Sequence, residues 1–338
     1  MQQGSPEKKL GKKISRWYRS HGRHDLPWRK NISAYRVWIS EIMLQQTQVI
    51  TVIPYFQKFV KKFPNMQTFL AASEEEVLAL WSGLGYYRRA RNIFQAKEII
   101  KNLHKGKFPK GFNQILSLPG IGRSTAGAIA SIAYNQPFPI LDTNVKRVLL
   151  RVHALKGNET ESELWRLAAA IQDSRDLFSY TQGIMDLGAS ICLKQAPKCQ
   201  ECPLNKDCSS AFRAIKAPAL KKHIKKEEIN LKFYLFMDHE NFLVQKNETL
   251  SIWSGLWILP TELPQNFQNF ENFEEVSISH HLSHRILNIT FCVCKMDKLI
   301  MPVTNQQCKT VRINNYTSLG MPKPITKLIQ HYDRFGFL

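Results

Sequence analysis

Several things are scarce in this 338-residue chain, and each scarcity narrows what it can be. No apolar run reaches the roughly 18 residues that a membrane span requires, so a soluble protein without a membrane partner is expected. Acid is in short supply: 27 Asp and Glu stand against 47 Lys and Arg, a net charge of +20 that calls for a polyanionic partner. Only seven cysteines occur, and no secretory signal pattern opens the sequence, so a disulfide scaffold is not expected and a cytoplasmic location is. Internal repeats and low-complexity tracts are missing, which sets aside solenoids and fibrous proteins.

What is present is unevenly placed. Residues 226–338 carry 11 basic and 11 acidic side chains, whereas residues 1–225 carry 36 and 16, the whole of the excess. A polyanion therefore meets the first part of the chain. Apolar residues recur at helical spacing over 34–46, 48–62, 74–80, 87–103, 124–134, 143–153 and 162–172, with breaks at Pro64, Gly83-Leu84-Gly85, Pro109 and Pro119-Gly120. The stretch 209–228 is polar and basic, as a linker would be. Beyond it the period changes. Leu231–Met237 and Asn241–Gln245 read as strands around a turn, Ile286–Cys294 as another, and 322–333 as a closing helix. The expected organisation is a helical domain over 1–208, a linker over 209–228 and a smaller α+β domain over 229–338.

Four of the cysteines, Cys192, Cys199, Cys202 and Cys208, fall within 17 residues, separated by six, two and five. Four thiolates on a short irregular loop can enclose one soft tetrahedral centre, either zinc or a cubane cluster. Zinc sites commonly pair their ligands in two C-x2-C knuckles, and here only Cys199 and Cys202 form such a pair, so the spacing favours a [4Fe–4S] cluster. Pro197 and Pro203 restrict the backbone around it, and Lys194, Lys198 and Lys206 place positive charge beside it.

Residues 112–134 read as a short helix, a Pro119-Gly120-Ile121-Gly122 turn, and a second helix from near Arg123. Gly120 and Gly122 let backbone N–H groups approach an anion, and the second helix offers its positive end. Such a hairpin grips a nucleic acid backbone without reading its sequence.

Two carboxylates stand out. Glu41 shares a helix face with Val37, Trp38 and Ile42. Desolvation there would raise its pKa and suit it to general acid work. A helix-edge Glu reaching solvent, or pairing with Arg36, fits the residues equally well. Asp142 opens a helix after an apolar approach, where Asp is a favoured N-cap. It could also face the site at which the polyanion is held. Two carboxylates in unlike surroundings are the usual equipment for cleaving a glycosidic bond.

Taken together, Leu26-Pro-Trp-Arg29, Trp38-Ile-Ser-Glu-Ile-Met-Leu-Gln-Gln-Thr47, Trp81-Ser-Gly-Leu-Gly-Tyr-Tyr87, the hairpin, Leu141-Asp-Thr-Asn-Val-Lys-Arg147, Met185-Asp-Leu-Gly-Ala189 and the four cysteines resemble the helix-hairpin-helix DNA glycosylases that carry an iron–sulfur cluster. Within that endonuclease III-like superfamily the likeness is to adenine DNA glycosylases of the MutY type. The resemblance implies base excision repair: hydrolytic removal of an adenine, flipped out of duplex DNA, that lies opposite 8-oxoguanine or guanine. It implies that Glu41 protonates the adenine, that Asp142 stabilises the oxocarbenium-like sugar, and that Asn144 helps to orient this chemistry. Trp28 and Asp186 would line the adenine pocket, while Gln46 and Tyr86, with Thr47 beside them, would fill the vacated stack and hold the opposite base. Ser124 occupies the hairpin position where the endonuclease III type has a Lys nucleophile. A serine forms no Schiff base, which implies a monofunctional enzyme; a helix-capping hydroxyl is its plainer role.

The second part resembles the C-terminal module of the same enzymes, related to Nudix hydrolases, through Ser254-Gly-Leu-Trp-Ile-Leu-Pro260 and His281-Leu-Ser-His284. The resemblance implies that Ser283 touches 8-oxoguanine. Leu282 departs from a usual Phe and Thr143 from a frequent Gly. The acidic metal-binding motif of Nudix hydrolases is missing from 230–338, so no pyrophosphatase is expected. The expected protein is thus a monomer that binds duplex DNA holding an adenine mispair. The rival readings are a glycosylase/lyase or thymine-mismatch glycosylase on the same scaffold, and a non-catalytic lesion-binding or redox-sensing protein.

Overall fold

The computed structural model describes residues 6–213, 226–264, 274–282, 284–301 and 307–335. These divide into two compact units, one of 6–71 with 92–213 and the other of Ala72–Arg91 with the C-terminal sheet.

The first unit is helical. It contains α1 (Pro6–His21), α2 (Ala34–Leu44), α3 (Val49–Lys62) and α4 (Met66–Leu70), then α6 (Arg88–Leu103) from Asn92 on, α7 (Phe112–Leu116), α8 (Arg123–Tyr134), α9 (Thr143–Val152), α10 (Glu161–Ile171) and α11 (Leu177–Asp186). Sequence chemistry sets the ends. Asn65 with Thr68 and Thr160 with Glu163 form reciprocal capping boxes at α4 and α10, each satisfying two otherwise orphaned backbone donors. The core is aromatic: Trp38, Phe56, Phe59 and Phe69 are fully buried, and Phe69 packs within about 6 Å of Tyr35, Trp38, Phe59 and Phe63. Helix α2 lies on α8 and α1 on α11, which brings the hairpin and the two ends of the helical block together.

The second unit is a mixed six-stranded sheet in the order β3-β2-β1-β5-β4, with β6 also paired to β2. Its strands are β1 (Glu227–Met237), β2 (Asn241–Lys246), β3 (Trp257–Ile258), β4 (Glu274–His281), β5 (Arg285–Lys295) and β6 (Cys308–Arg312), followed by α12 (Lys323–Phe335). Strands β1 and β5 run parallel in register from Glu227 opposite Arg285 to Met237 opposite Lys295; the other pairings are antiparallel. Alternation sorts the side chains: Phe233, Leu235, Met237, Leu287, Ile289 and Phe291 face Ile325, Ile329 and Tyr332 of α12, while Phe236, Leu243 and Cys294 form a smaller cluster. Each such large apolar side chain contributes roughly 1.5–3 kcal/mol on burial.

The three strands read from the sequence are β1, β2 and β5, with β1 starting at Glu227, inside the stretch read as linker. Within that stretch, residues 214–225 lie outside the described residues. The segment Ala72–Arg91, which the sequence reading counts with the helical domain, groups with the sheet. The reason is specific. Helix α5 (Glu74–Trp81) in this segment receives Trp257 Nε1–H and Lys309 on the carboxylate of Glu75, at 2.5 and 2.8 Å. Among the described residues no helix is long and apolar enough to cross a membrane.

Candidate active site

Helix α8 builds the site by holding the segment that leads to Asp142. Its residues 124, 127 and 131 lie along one face. Ser124 Oγ accepts from Leu141 N at 3.0 Å, Ser131 Oγ donates to the carbonyl of Phe138 at 2.7 Å, and the Pro139 carbonyl approaches Gly127 so closely that a Cβ would sit 2.3 Å from it. Only glycine fits there. Gly122, rather than Ser124, is the N-cap of α8, so the hydroxyl of Ser124 ties the hairpin to the approach to Asp142 instead of capping a helix. Gly120 adopts φ +79, the left-handed backbone its turn requires. The turn is exposed at Gly120, Gly122 and Arg123.

A cavity of about 540 Å³ opens beside this hairpin. Of the residues singled out from the sequence, Trp28, Glu41, Gln46, Thr47, Ser124, Asp142 and Asn144 all line it. Trp28 comes from a single turn of 3-10 helix, Glu41 from α2, Gln46 and Thr47 from the α2–α3 corner, and Asp142 and Asn144 from the start of α9. Gln46 is exposed in a left-handed conformation, φ 55. Asp142 is the N-cap of α9: its Oδ1 accepts from Val145 N at 2.7 Å. The capping and site-facing readings of Asp142 therefore hold together. Asn144 Oδ1 accepts from Arg147, whose guanidinium also donates to the carbonyls of Gly188 and Cys192.

Glu41 keeps a partial opening to the cavity while protein encloses it on its other sides. Desolvation is the main cause that pushes its carboxyl up to about 7; the negative charge of Asp142 adds to this and Arg29 opposes it. The site thus offers one carboxyl able to hold a proton near neutrality, facing the same cavity as a second carboxylate.

Asp186 does not line the cavity. It is buried behind the wall, 1% exposed, and binds Arg29 at 2.7 and 2.9 Å and Arg23 at 2.6 and 2.9 Å, with Arg23 N at 2.9 Å. Although burial alone would raise it, the hydrogen bonds and charges of Arg29 and Arg23 hold its carboxyl below the ordinary value. Its partners Arg23 and Arg29 do line the cavity, as do Gln182 and Met185. The sequence reading gave these four no role, although Arg29 and Met185 ended or opened strings it quoted. Tyr86 belongs to the other unit, exposed and left-handed at φ 50. Ser283 lies outside the described residues.

The four clustered cysteines line a second cavity of about 290 Å³, with Val148, Val152, Leu187, Ile191 and Leu204 as apolar wall. Burial pushes the thiol of Cys202 up to about 11, and the neighbouring Cys192, Cys208 and Cys199 add to the shift. Such thiols stay protonated at neutral pH unless a cation takes the proton's place. Among the described residues no group of three His, Cys, Asp or Glu side chains is gathered as a metal ion would need. Four thiols bordering one apolar cavity are the donor type that a soft metal centre takes. Lys194, Lys198 and Lys206 are exposed on this loop.

Residues 39–171, which include the helical hairpin, match the HhH-GPD superfamily of base excision DNA repair proteins. A solved thermostable thymine-DNA glycosylase superposes with a TM-score of 0.57 at 26% identity, covering 62% of this chain and 97% of that one. The adenine DNA glycosylase of Buchnera aphidicola subsp. Acyrthosiphon pisum (strain APS) is 39% identical over 95% of this chain and 97% of its own length. That of Rattus norvegicus is 43% identical over 58% of this chain and 40% of its own. The chain belongs to the adenine DNA glycosylase family.

Proposed function

We propose that this chain hydrolyses the N-glycosidic bond of adenine mispaired with 8-oxoguanine or guanine in duplex DNA. The observation that carries the chemistry is the pairing of Glu41, with its carboxyl near 7, and Asp142 on one cavity beside the hairpin. Backbone N–H groups at Gly120 and Gly122 hold a phosphate, and the adenine, out of the stack, enters between Trp28 and Glu41. Protonated Glu41 gives its proton to the base, which then leaves as a neutral group. Asp142 faces the cationic sugar until water adds to it, and the proton that this water sheds restores the Glu41 acid. Asn144, fixed by Arg147 at 2.9 Å, orients the sugar side of the cavity.

Ser124 spends its hydroxyl lone pair on Leu141 N and offers no amine, so the reaction stops at base release and the strand stays intact. Cys192, Cys199, Cys202 and Cys208 would hold a [4Fe–4S] cluster, whose contribution when bound is to fasten the lysine-bearing loop against DNA. The sheet unit, whose Ser254–Pro260 string resembles one in Nudix-like modules, adds selectivity for the damaged opposite base, with Tyr86 as the wedge. A single-turnover assay on duplexes holding adenine opposite 8-oxoguanine, guanine or thymine tests the proposal. Fast release opposite the first two, slow release opposite thymine and no borohydride-trapped adduct are expected. Equal release from all three overturns the substrate assignment, and an adduct overturns the monofunctional one.

A further inference from the structure

Tyr86 sits at the tip of a short loop that is held both from its own segment, by Trp81 Nε1–H on the Gly85 carbonyl at 3.1 Å, and from the sheet side. Gly83 and Gly85 take φ 91 and 81, and Tyr86 follows in the same left-handed region. Its ring is 45% exposed, while Tyr87 next to it is buried. The Tyr87 hydroxyl accepts from Gly83 N at 3.0 Å and donates to the Met321 carbonyl at 3.1 Å. Ser82 Oγ donates to the same carbonyl at 2.7 Å. Arg89 brackets the loop: it donates to the Gly85 carbonyl at 3.1 Å and lies over the rings of both Tyr86 and Trp81.

Helix α5, one turn upstream, is fixed as firmly. Lys309 bonds Glu75 at 2.8 Å and lies 4.0 Å over the ring of Trp257, whose Nε1–H meets the same carboxylate. Gly320 packs so closely on Leu78 that a Cβ there would stand 2.7 Å from the Leu78 Cβ. After the loop, Arg91 donates to the Ser254 carbonyl.

We propose that Glu75, Lys309, Ser82 and the Tyr87–Met321 hydrogen bond are positioning residues for Tyr86, so that the sheet unit sets the recognition of the base opposite the adenine through this loop. An exposed aromatic wedge discriminates only if its plane is held. Backbone in the left-handed region is costly for a tyrosine, and external hydrogen bonds are what keep it there. The sheet unit is then the mount of the wedge. This rests on the assignment of Tyr86 as the residue that holds the opposite base.

The test is a double-mutant cycle read as the ratio of single-turnover rates opposite 8-oxoguanine and guanine. Tyr86→Ala is expected to lower that ratio about 5- to 100-fold, the worth of one stacked base. Glu75→Gln with Lys309→Met should lower it about three- to tenfold, as loss of a charged hydrogen bond at a half-exposed pair predicts. The triple variant should fall no lower than Tyr86→Ala. Ser82→Ala, a smaller change, keeps the test available if the charge variant unfolds, and both anchor variants should bind undamaged duplex as the wild type does. If the anchor variants leave the ratio alone, or lower it further in the Tyr86→Ala background, the positioning role is overturned and the wedge stands. If Tyr86→Ala itself leaves the ratio unchanged, the wedge fails and the positioning role falls with it.

Discussion

Helix α9 borders two cavities made of different materials. At its start, Asp142, Thr143 and Asn144 face a wide, polar cavity with Glu41 and Ser124. At its end, Val148, Arg151 and Val152 face a smaller apolar one ringed by thiols. The first exposes side chains that can exchange protons. The second encloses four thiols, and burial pushes those of Cys202 and Cys208 up. The function proposed above assigns chemistry to the first cavity and fastening to the second, although one helix of ten residues serves both.

Changes on the two sides should separate accordingly. The largest effect is expected from Glu41→Gln, a loss of base release of about 10³-fold, measured under single turnover. The same change should raise thermal stability. The Glu41 carboxyl moves from an ordinary value of 4.5 to about 7 on folding, so the folded state keeps a proton that the unfolded chain releases. Its contribution is full below 4.5, declines as pH rises through this window, and is lost above 7. The stabilisation by Gln should therefore be larger at pH 8 than at pH 5, and a melting series that shows the reverse would refute the desolvated acid. Wild-type base release should likewise fall as pH climbs past 7.

Asp142→Asn comes next, with an expected loss of about 10²-fold from removing the charge that faces the sugar. Asn is as good an N-cap as Asp, so unfolding free energy should change by less than about 0.5 kcal/mol. Unimpaired base release would mean that Asp142 is a cap and little else. Asp186→Ala should cost about 3 kcal/mol of stability, because it strands buried Arg29 without its partner. Chemical denaturation would measure it. Smallest is Cys199→Ser on the other side of α9: DNA affinity is expected to weaken about tenfold with a shallower salt dependence, while the midpoint near 7 of the activity profile stays in place.

The helical unit was largely legible because its chemistry is local. Caps, glycines and helical spacing mark α2, α3, α8, α9 and α10 within a few residues. Helix α11 was missed because its buried face carries Ser179, Thr181, Gln182 and Asp186, which hides the apolar period. The sheet was half legible. Strand β4 is mostly exposed, β3 has two residues, and β6 has five with one buried; their identity comes from pairing with β5 and β2, which no local window contains. Individual site residues showed in their strings, whereas the burial of Asp186 behind Arg29 and the attachment of Ala72–Arg91 to the sheet are tertiary facts. A buried carboxylate with two arginines reads the same in sequence as one that faces a pocket.

On the proposed reading, the bond from Leu141 N to Ser124 Oγ links the phosphate-holding turn to the sugar-facing carboxylate as a single gauge. The span from a phosphate to its own sugar is bounded by the same few covalent bonds in every nucleotide. Whatever sequence lies in the groove, seating that phosphate brings an anomeric carbon within the same reach of Asp142. The enzyme can then test one base after another without readjusting itself, and its choice is left to what fills the pocket.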